Sequence, residues 1–171
     1  MLTFTHPALR YKSDLLSYRR EVIRTDSDFD GTAGLGNFSD IRDWLELIFA
    51  MEPERAGIYG YYPTLVYLAF DDELLVGICN VRLNNDDEIR SRAGHIGYHV
   101  RPSMRKRGYG KTILSHAVGV CAEHGIVSPV VCTFPGNTAS EQTALGCGFV
   151  RDSCDILENG ETVCRFIYKN E

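Results

Sequence analysis

Apolar residues recur along this chain with two different periods. Between residues 7 and 24, Leu9, Leu15, Leu16, Val22 and Ile23 return at spacings that keep them near one face of a helix, with Pro7 tolerated at the first turn. A Gly- and Asp-rich loop over residues 26–37 follows. Ser39 then stands as the cap of a second helix at 40–50, whose Ile41, Trp44, Leu45 and Ile48 form an apolar stripe. That stripe makes Trp44 a core residue rather than a ligand contact. The period then shortens. Residues 65–70 and 74–83 are β-rich runs joined by Asp71, Asp72 and Glu73, which suits a hairpin.

After a polar connection at 84–94, residues 95–100 read as a strand ended by Pro102, which cannot donate to a ladder. The helical period returns from Lys106 or Gly108 to His124, with Ile113, Leu114, Ala117, Val118 and Cys121 on one face and Gly125 as the stop. Residues 129–134 form a further buried strand, and Asn137 caps a short helix reaching Leu145. Residues 149–157 and 162–168 flank Asn159-Gly160, the strongest short hairpin signal. The order of elements predicts one α/β (α+β) domain over residues 1–171, with a mixed, mostly antiparallel central sheet flanked by helices.

Composition narrows the function classes. Hydrophobic residues at 44% and charged residues at 24% match a globular protein with its own core. No apolar run approaches the roughly 20 residues of a membrane helix, and no secretory signal pattern is visible, so a cytoplasmic protein without a membrane role is expected. The six cysteines lack Cys-x-x-Cys spacing and histidines at zinc-ligand distances, which predicts no metal site and mostly reduced core thiols. A net charge of −5 argues against general nucleic-acid binding.

Against that acidic background, Arg101, Arg105, Lys106, Arg107 and Lys111 cluster where a strand gives way to a helix. Amides at a helix start lack partners and carry the positive end of the dipole, while Gly108 and Gly110 let an anion approach the main chain. A P-loop would need glycine at position 105, which is arginine. A dinucleotide fingerprint would need glycine at position 113, which is isoleucine.

The remaining pattern, Arg105-x-x-Gly108-x-Gly110 after Val100-Arg101-Pro102, resembles the coenzyme A signature of the GNAT superfamily of N-acetyltransferases. Asn137 to Ser140, ending in Gly148-Phe149, resembles the superfamily's later motif, and the run Gly94 to Ser103 looks like a branch of predicted acetyltransferases. The resemblance implies two central strands that splay apart and bind acetyl-CoA between them. Main-chain groups of Tyr98, His99 and Val100 would meet the pantetheine arm, and the turn made of Arg105, Lys106, Arg107, Gly108, Tyr109, Gly110 and Lys111 would hold the diphosphate. Asn137 and Ser140 would reach the cofactor from across the cleft.

It also implies direct transfer of the acetyl group to an amine on a small molecule or peptide, with a homodimer as a further expectation from the exposed strand edges. Here the sequence departs from the family. Many relatives carry a tyrosine seven residues after the motif asparagine as the acid for the leaving thiolate, and this chain has Ala144. Tyr98, Ser140 or water could serve instead, or the thiolate could leave unaided. Candidates for the base are His95, His99, Glu88 and Asp87. A cysteine acyl-enzyme is disfavoured, because Cys132 and Cys147 sit among apolar neighbours without an adjacent base. Asp26, Asp28, Asp30, Asp40 and Asp43, with Tyr59, Tyr61 and Tyr62, suggest an acidic, aromatic pocket for a cationic amine. The alternative is a coenzyme A-binding module with weak or no turnover.

Overall fold

A computed structural model describes residues 1–25 and 28–169. It contains β1 (Thr3–Thr5), α1 (Lys12–Thr25), α2 (Ile41–Met51), α3 (Ala56–Tyr59), β2 (Thr64–Asp71), β3 (Leu74–Arg82), β4 (Ile96–Val100), α4 (Tyr109–Glu123), β5 (Val130–Thr133), α5 (Thr138–Leu145), β6 (Phe149–Ile156) and β7 (Thr162–Tyr168). Strands pair in the orders β1-β2-β3-β4 and β5-β7-β6, with every ladder antiparallel.

Helical periodicity places α1 and α2. Leu15, Tyr18 and Val22 of α1 and Ile41, Trp44 and Ile48 of α2 are buried against Val66, Leu68, Phe70, Leu75 and Ile78 on one face of the first sheet. Trp44 is fully buried, and its indole N–H donates to Ala33 O at 3.0 Å, as its core placement requires. On the opposite face, Ile113, Leu114, Ala117 and Cys121 of α4 meet Cys79, Val81 and Ile96, and the same core continues through Val131, Ala144, Phe149 and Phe166. One core therefore runs under both sheets and holds their meeting edges in place.

Some elements differ from the sequence reading. The cap of α2 is Asp40, which accepts from Arg42 N at 3.0 Å, one residue beyond Ser39. Strand β1 and helix α3 were not anticipated, and the connection before β4 contains a π-helical turn, Ile89–Ala93. Four cysteines are free, two of them buried, but Cys154 and Cys164 form a disulfide. Most of the cysteines are thus reduced, and the pairing of the other two has a plain cause: the β6–β7 register sets Cys154 directly opposite Cys164.

The two sheets meet at β4 and β5. His95 N donates to Val130 O at 2.7 Å, and Val130 N donates to His95 Nδ1 at 3.0 Å. Beyond this double tie β4 and β5 share no ladder, so the strands diverge and leave a cleft.

Candidate active site

The cleft has a volume of about 910 Å³ and runs between β4 and β5 from the amino end of α4 to the π-helical turn. Its walls follow from strand alternation. Arg82 N bonds His95 O and Arg101 N bonds Val76 O, so the odd-numbered residues of β4 turn their main-chain groups to β3. Those of Ile96, Tyr98 and Val100 point the other way, into the divergence. Tyr98 N–H donates to no acceptor among the described residues.

One end of the cleft is main chain. The chain leaves β4 through a short helical turn, Pro102–Met104, then takes positive φ at Lys106 (61°) and Gly108 (86°) before α4 begins. Inside α4 the first amides bonded to main-chain oxygen are those of Lys111 and Thr112, both to Gly108 O. The five consecutive N–H groups of Lys106, Arg107, Gly108, Tyr109 and Gly110 donate to no acceptor among the described residues. A Cβ built on Gly108 meets nothing within 4 Å, so the space beside these amides is open. Converging unpaired amides at a helix start form an anion cradle. Lys106, Arg107 and Lys111 are exposed around it. Arg105 turns back instead, with Nε donating to Val100 O at 3.2 Å and Nη2 lying 3.1 Å from His99 Nε2.

His99 is buried on the α1 side of β4, its Nδ1 2.6 Å from the Tyr18 hydroxyl, which also donates to His99 O. Arginine can only donate, so Nε2 accepts from Arg105 and the ring proton lies on Nδ1, toward Tyr18. The imidazole thus braces Arg105 against α1. Arg101 adds a second brace through Glu21, at 2.6 Å, and Glu21 also accepts from Ser103 N. The Arg101 guanidinium and the Ser103 amide help hold the Glu21 carboxyl below its usual range, against the opposing effect of burial.

Tyr98 crosses the other face. Its hydroxyl reaches α5, 3.2 Å from Ser140 Oγ and 3.4 Å from Ser140 O. Burial raises its pKa above the ordinary tyrosine value, so it keeps its proton at neutral pH. Asn137 caps α5, with Oδ1 accepting from Ser140 N at 3.1 Å. Tyr98, Asn137, Ser140 and Thr143 all line the cleft. Ala144 does not: it is packed in the core beneath α5.

His95 is fully buried and absent from the cleft walls. Nδ1 accepts from Val130, which leaves the proton on Nε2, 3.2 Å from Asn85 Oδ1. Burial first, then the charges of Arg90 and Arg82, pull its pKa down to about 4. Neutral, with both nitrogens engaged, His95 joins the two sheets and is not positioned as the expected base. Asp87 does not line the cleft, and Glu88 accepts from the Tyr62 hydroxyl. Burial pushes the Cys132 thiol up to about 11, so it is protonated at neutral pH.

The other end of the cleft is built from side chains. Asp28 and Asp30 enter from the α1–α2 loop, with Asp28 Oδ1 accepting from Asp30 N at 2.6 Å. Burial, with the neighbouring Asp28 charge, holds the Asp30 carboxyl above the usual range. Asp40 and Asp43 lie away from the cleft, as do the exposed Tyr59, Tyr61 and Tyr62, and Asp26 is outside the described residues. Between the loop and β4, Gly31 presses on the Tyr98 main chain so closely that a Cβ there would lie 2.2 Å from Tyr98 O, and Asn80 Nδ2 fixes Gly31 O at 2.9 Å. Arg82 and Arg92 line the same end and escaped the sequence reading. The available signal was a charge closing the apolar run of β3.

The model of the acetyltransferase (GNAT) family matches residues 36–149. No curated protein sequence is significantly similar to this chain. Among solved structures, the chain is similar to a microcin self-immunity acetyltransferase, MccE, in complex with acetyl-CoA and AMP (16% identity, 97% of this chain and 91% of that one covered, TM-score 0.70). It is also similar to the ribosomal alpha-N-protein acetyltransferase RimL in complex with coenzyme A (16%, 97% and 92%, 0.68) and to RimJ of Mycobacterium smegmatis in complex with CoA-disulfide (14%, 97% and 80%, 0.72). At these identities the likeness is one of fold. Together with the family match over two motifs and the splayed strands, it places this chain in the GNAT family of acetyltransferases.

Proposed function

We propose that the cleft binds acetyl-CoA, with its diphosphate on the amides of Lys106 to Gly110, and that an amine entering beside Asp28 and Asp30 receives the acetyl group. The run of five unpartnered amides carries this reading. It suits a diphosphate because amide donors and a helix dipole need no side-chain counterion, and Lys106, Arg107 and Lys111 add a positive surround. Asn137 and Ser140 offer polar contacts from the opposite wall, and the main chain of Tyr98 and the Val100 amide, which face away from β3, offer contacts for an extended amide arm.

When bound, acetyl-CoA supplies an acetyl carbon activated as a thioester. The chain's own groups manage charge and protons. Tyr98 N–H faces the cleft and can donate to an oxygen that gains charge. Asp30, whose carboxyl burial holds above the usual range, is suited to accepting a proton from an ammonium. The Tyr98 hydroxyl, protonated and held beside Ser140, is available to a departing thiolate, reaching α5 from β4 where relatives place a tyrosine on the helix itself.

Titration of the purified protein with acetyl-CoA, followed by thiol release in a panel of amines, tests this reading. Binding in the micromolar range and turnover with at least one amine are expected. A protein indifferent to coenzyme A would refute it. The buried Ala144 favours a second reading, a module that binds but does not turn over; tight binding without thiol release on any amine would select it.

A further inference from the structure

Arg82 is the last residue of β3 and lies at the end of the cleft opposite the amide cradle. Its Nη1 is committed, donating to Ala93 O at 3.3 Å and to Gly94 O at 3.1 Å. The Nε and Nη2 hydrogens donate to no acceptor among the described residues, and no carboxylate there pairs with the guanidinium. A guanidinium removed from bulk water without an anion is costly, and burial lowers the Arg82 pKa accordingly. Cys132, on the same stretch of wall, is a protonated thiol and does not supply the missing charge. Arg92 stands on that wall as well, also without an acid partner among the described residues, whereas Asp28 and Asp30 occupy the loop side.

The anion that completes this site is not the cofactor's diphosphate. The cradle follows the carboxyl end of β4 and Arg82 adjoins its amino end, and a five-residue strand spans about 16 Å. The open Nε–Nη2 edge is the planar fork that arginine presents to a carboxylate. On the reading that the cleft acetylates an amine, we infer that the acceptor carries a carboxylate close to its reacting amine, with Arg82 receiving the carboxylate, Arg92 flanking it and Asp30 facing the amine. The substrate class is thus an amino acid or a similar zwitterion. Polyamines and peptide N-termini with neutral neighbours fall outside it.

Matched acceptors test the assignment: phenylalanine against phenethylamine, and tyrosine against tyramine, compared by kcat/KM in wild type, Arg82→Gln and Arg82→Lys. The wild type should favour the carboxylated member by about tenfold or more, the value of a charge-assisted hydrogen bond. Arg82→Gln should bring the ratio toward unity, with Arg82→Lys between. The ratio is internal to each variant, so general loss of activity does not alter it, and unchanged acetyl-CoA affinity reports an intact fold. Calorimetric titration of coenzyme A-loaded protein with the same compounds reads the site without turnover: the amino acids should bind, and bind at least about tenfold more weakly to Arg82→Gln. Equal or better use of the decarboxylated amines, no binding of either amino acid, or a ratio unmoved by Arg82→Gln overturns the inference. Failure to bind coenzyme A refutes the acetyl-transfer reading instead.

Discussion

The two ends of the cleft are made of different materials. At the carboxyl end of β4 the wall is main chain, produced by two positive-φ residues and a helix start. At the amino end it is side chain, with Asp28, Asp30, Arg82 and Arg92 arriving from separate segments. A main-chain surface depends on backbone conformation and tolerates changes in most side chains, whereas a side-chain surface can be altered one residue at a time. On the proposed reading, this contrast suits an enzyme that keeps one donor while its acceptor varies.

The contrast can be broken most severely at the cradle. Gly108→Val forces a β-branched residue to φ 86° and fills the space beside the amides; acetyl-CoA affinity should fall by about a hundredfold, read by calorimetry. Next, Tyr98→Phe should lower kcat by about tenfold or more while leaving acetyl-CoA affinity within about twofold, because it removes only a proton donor. Smaller still, Arg107→Ala should weaken acetyl-CoA two- to fivefold or so, with the difference fading at high salt, since the residue is exposed.

A separate test, read as stability rather than affinity, concerns the tie between the sheets. The folded pKa of His95, about 4, lies below its ordinary 6.5, so between those values the unfolded chain binds more protons. Stability should therefore fall as pH drops through this window, by at most about 1.4 kcal/mol per pH unit from this group. Urea titrations across the window should show that slope flattened in His95→Gln.

How well the sequence foretold each region follows from the same division. The cradle was legible because a strand, Pro102, clustered basic residues and two glycines are all local signals. Helices α1, α2 and α4 were legible because one face of each is buried at helical spacing. Strand β1 was missed because three residues show no period; it exists only by pairing with β2. The Cys154–Cys164 bond needs a hairpin register, and composition does not contain one. His95 looked like a base because it begins a strand entering the cleft. Its true place depends on Val130 and Asn85, distant or unremarkable in sequence. Arg82 read as the exit of a strand into water, and only its bonds to the main chain of Ala93 and Gly94 show it held at the cleft wall.

The meeting of Gly31 with Tyr98 bears on how the pocket can be redesigned. With 2.2 Å available where a methyl group would stand, residue 31 fixes how closely the loop packs on the strand. Exchanging neighbouring loop residues should reshape the specificity of the pocket around a fixed floor. Even alanine at position 31 would push the loop off the Tyr98 main chain and change the width of the cleft there.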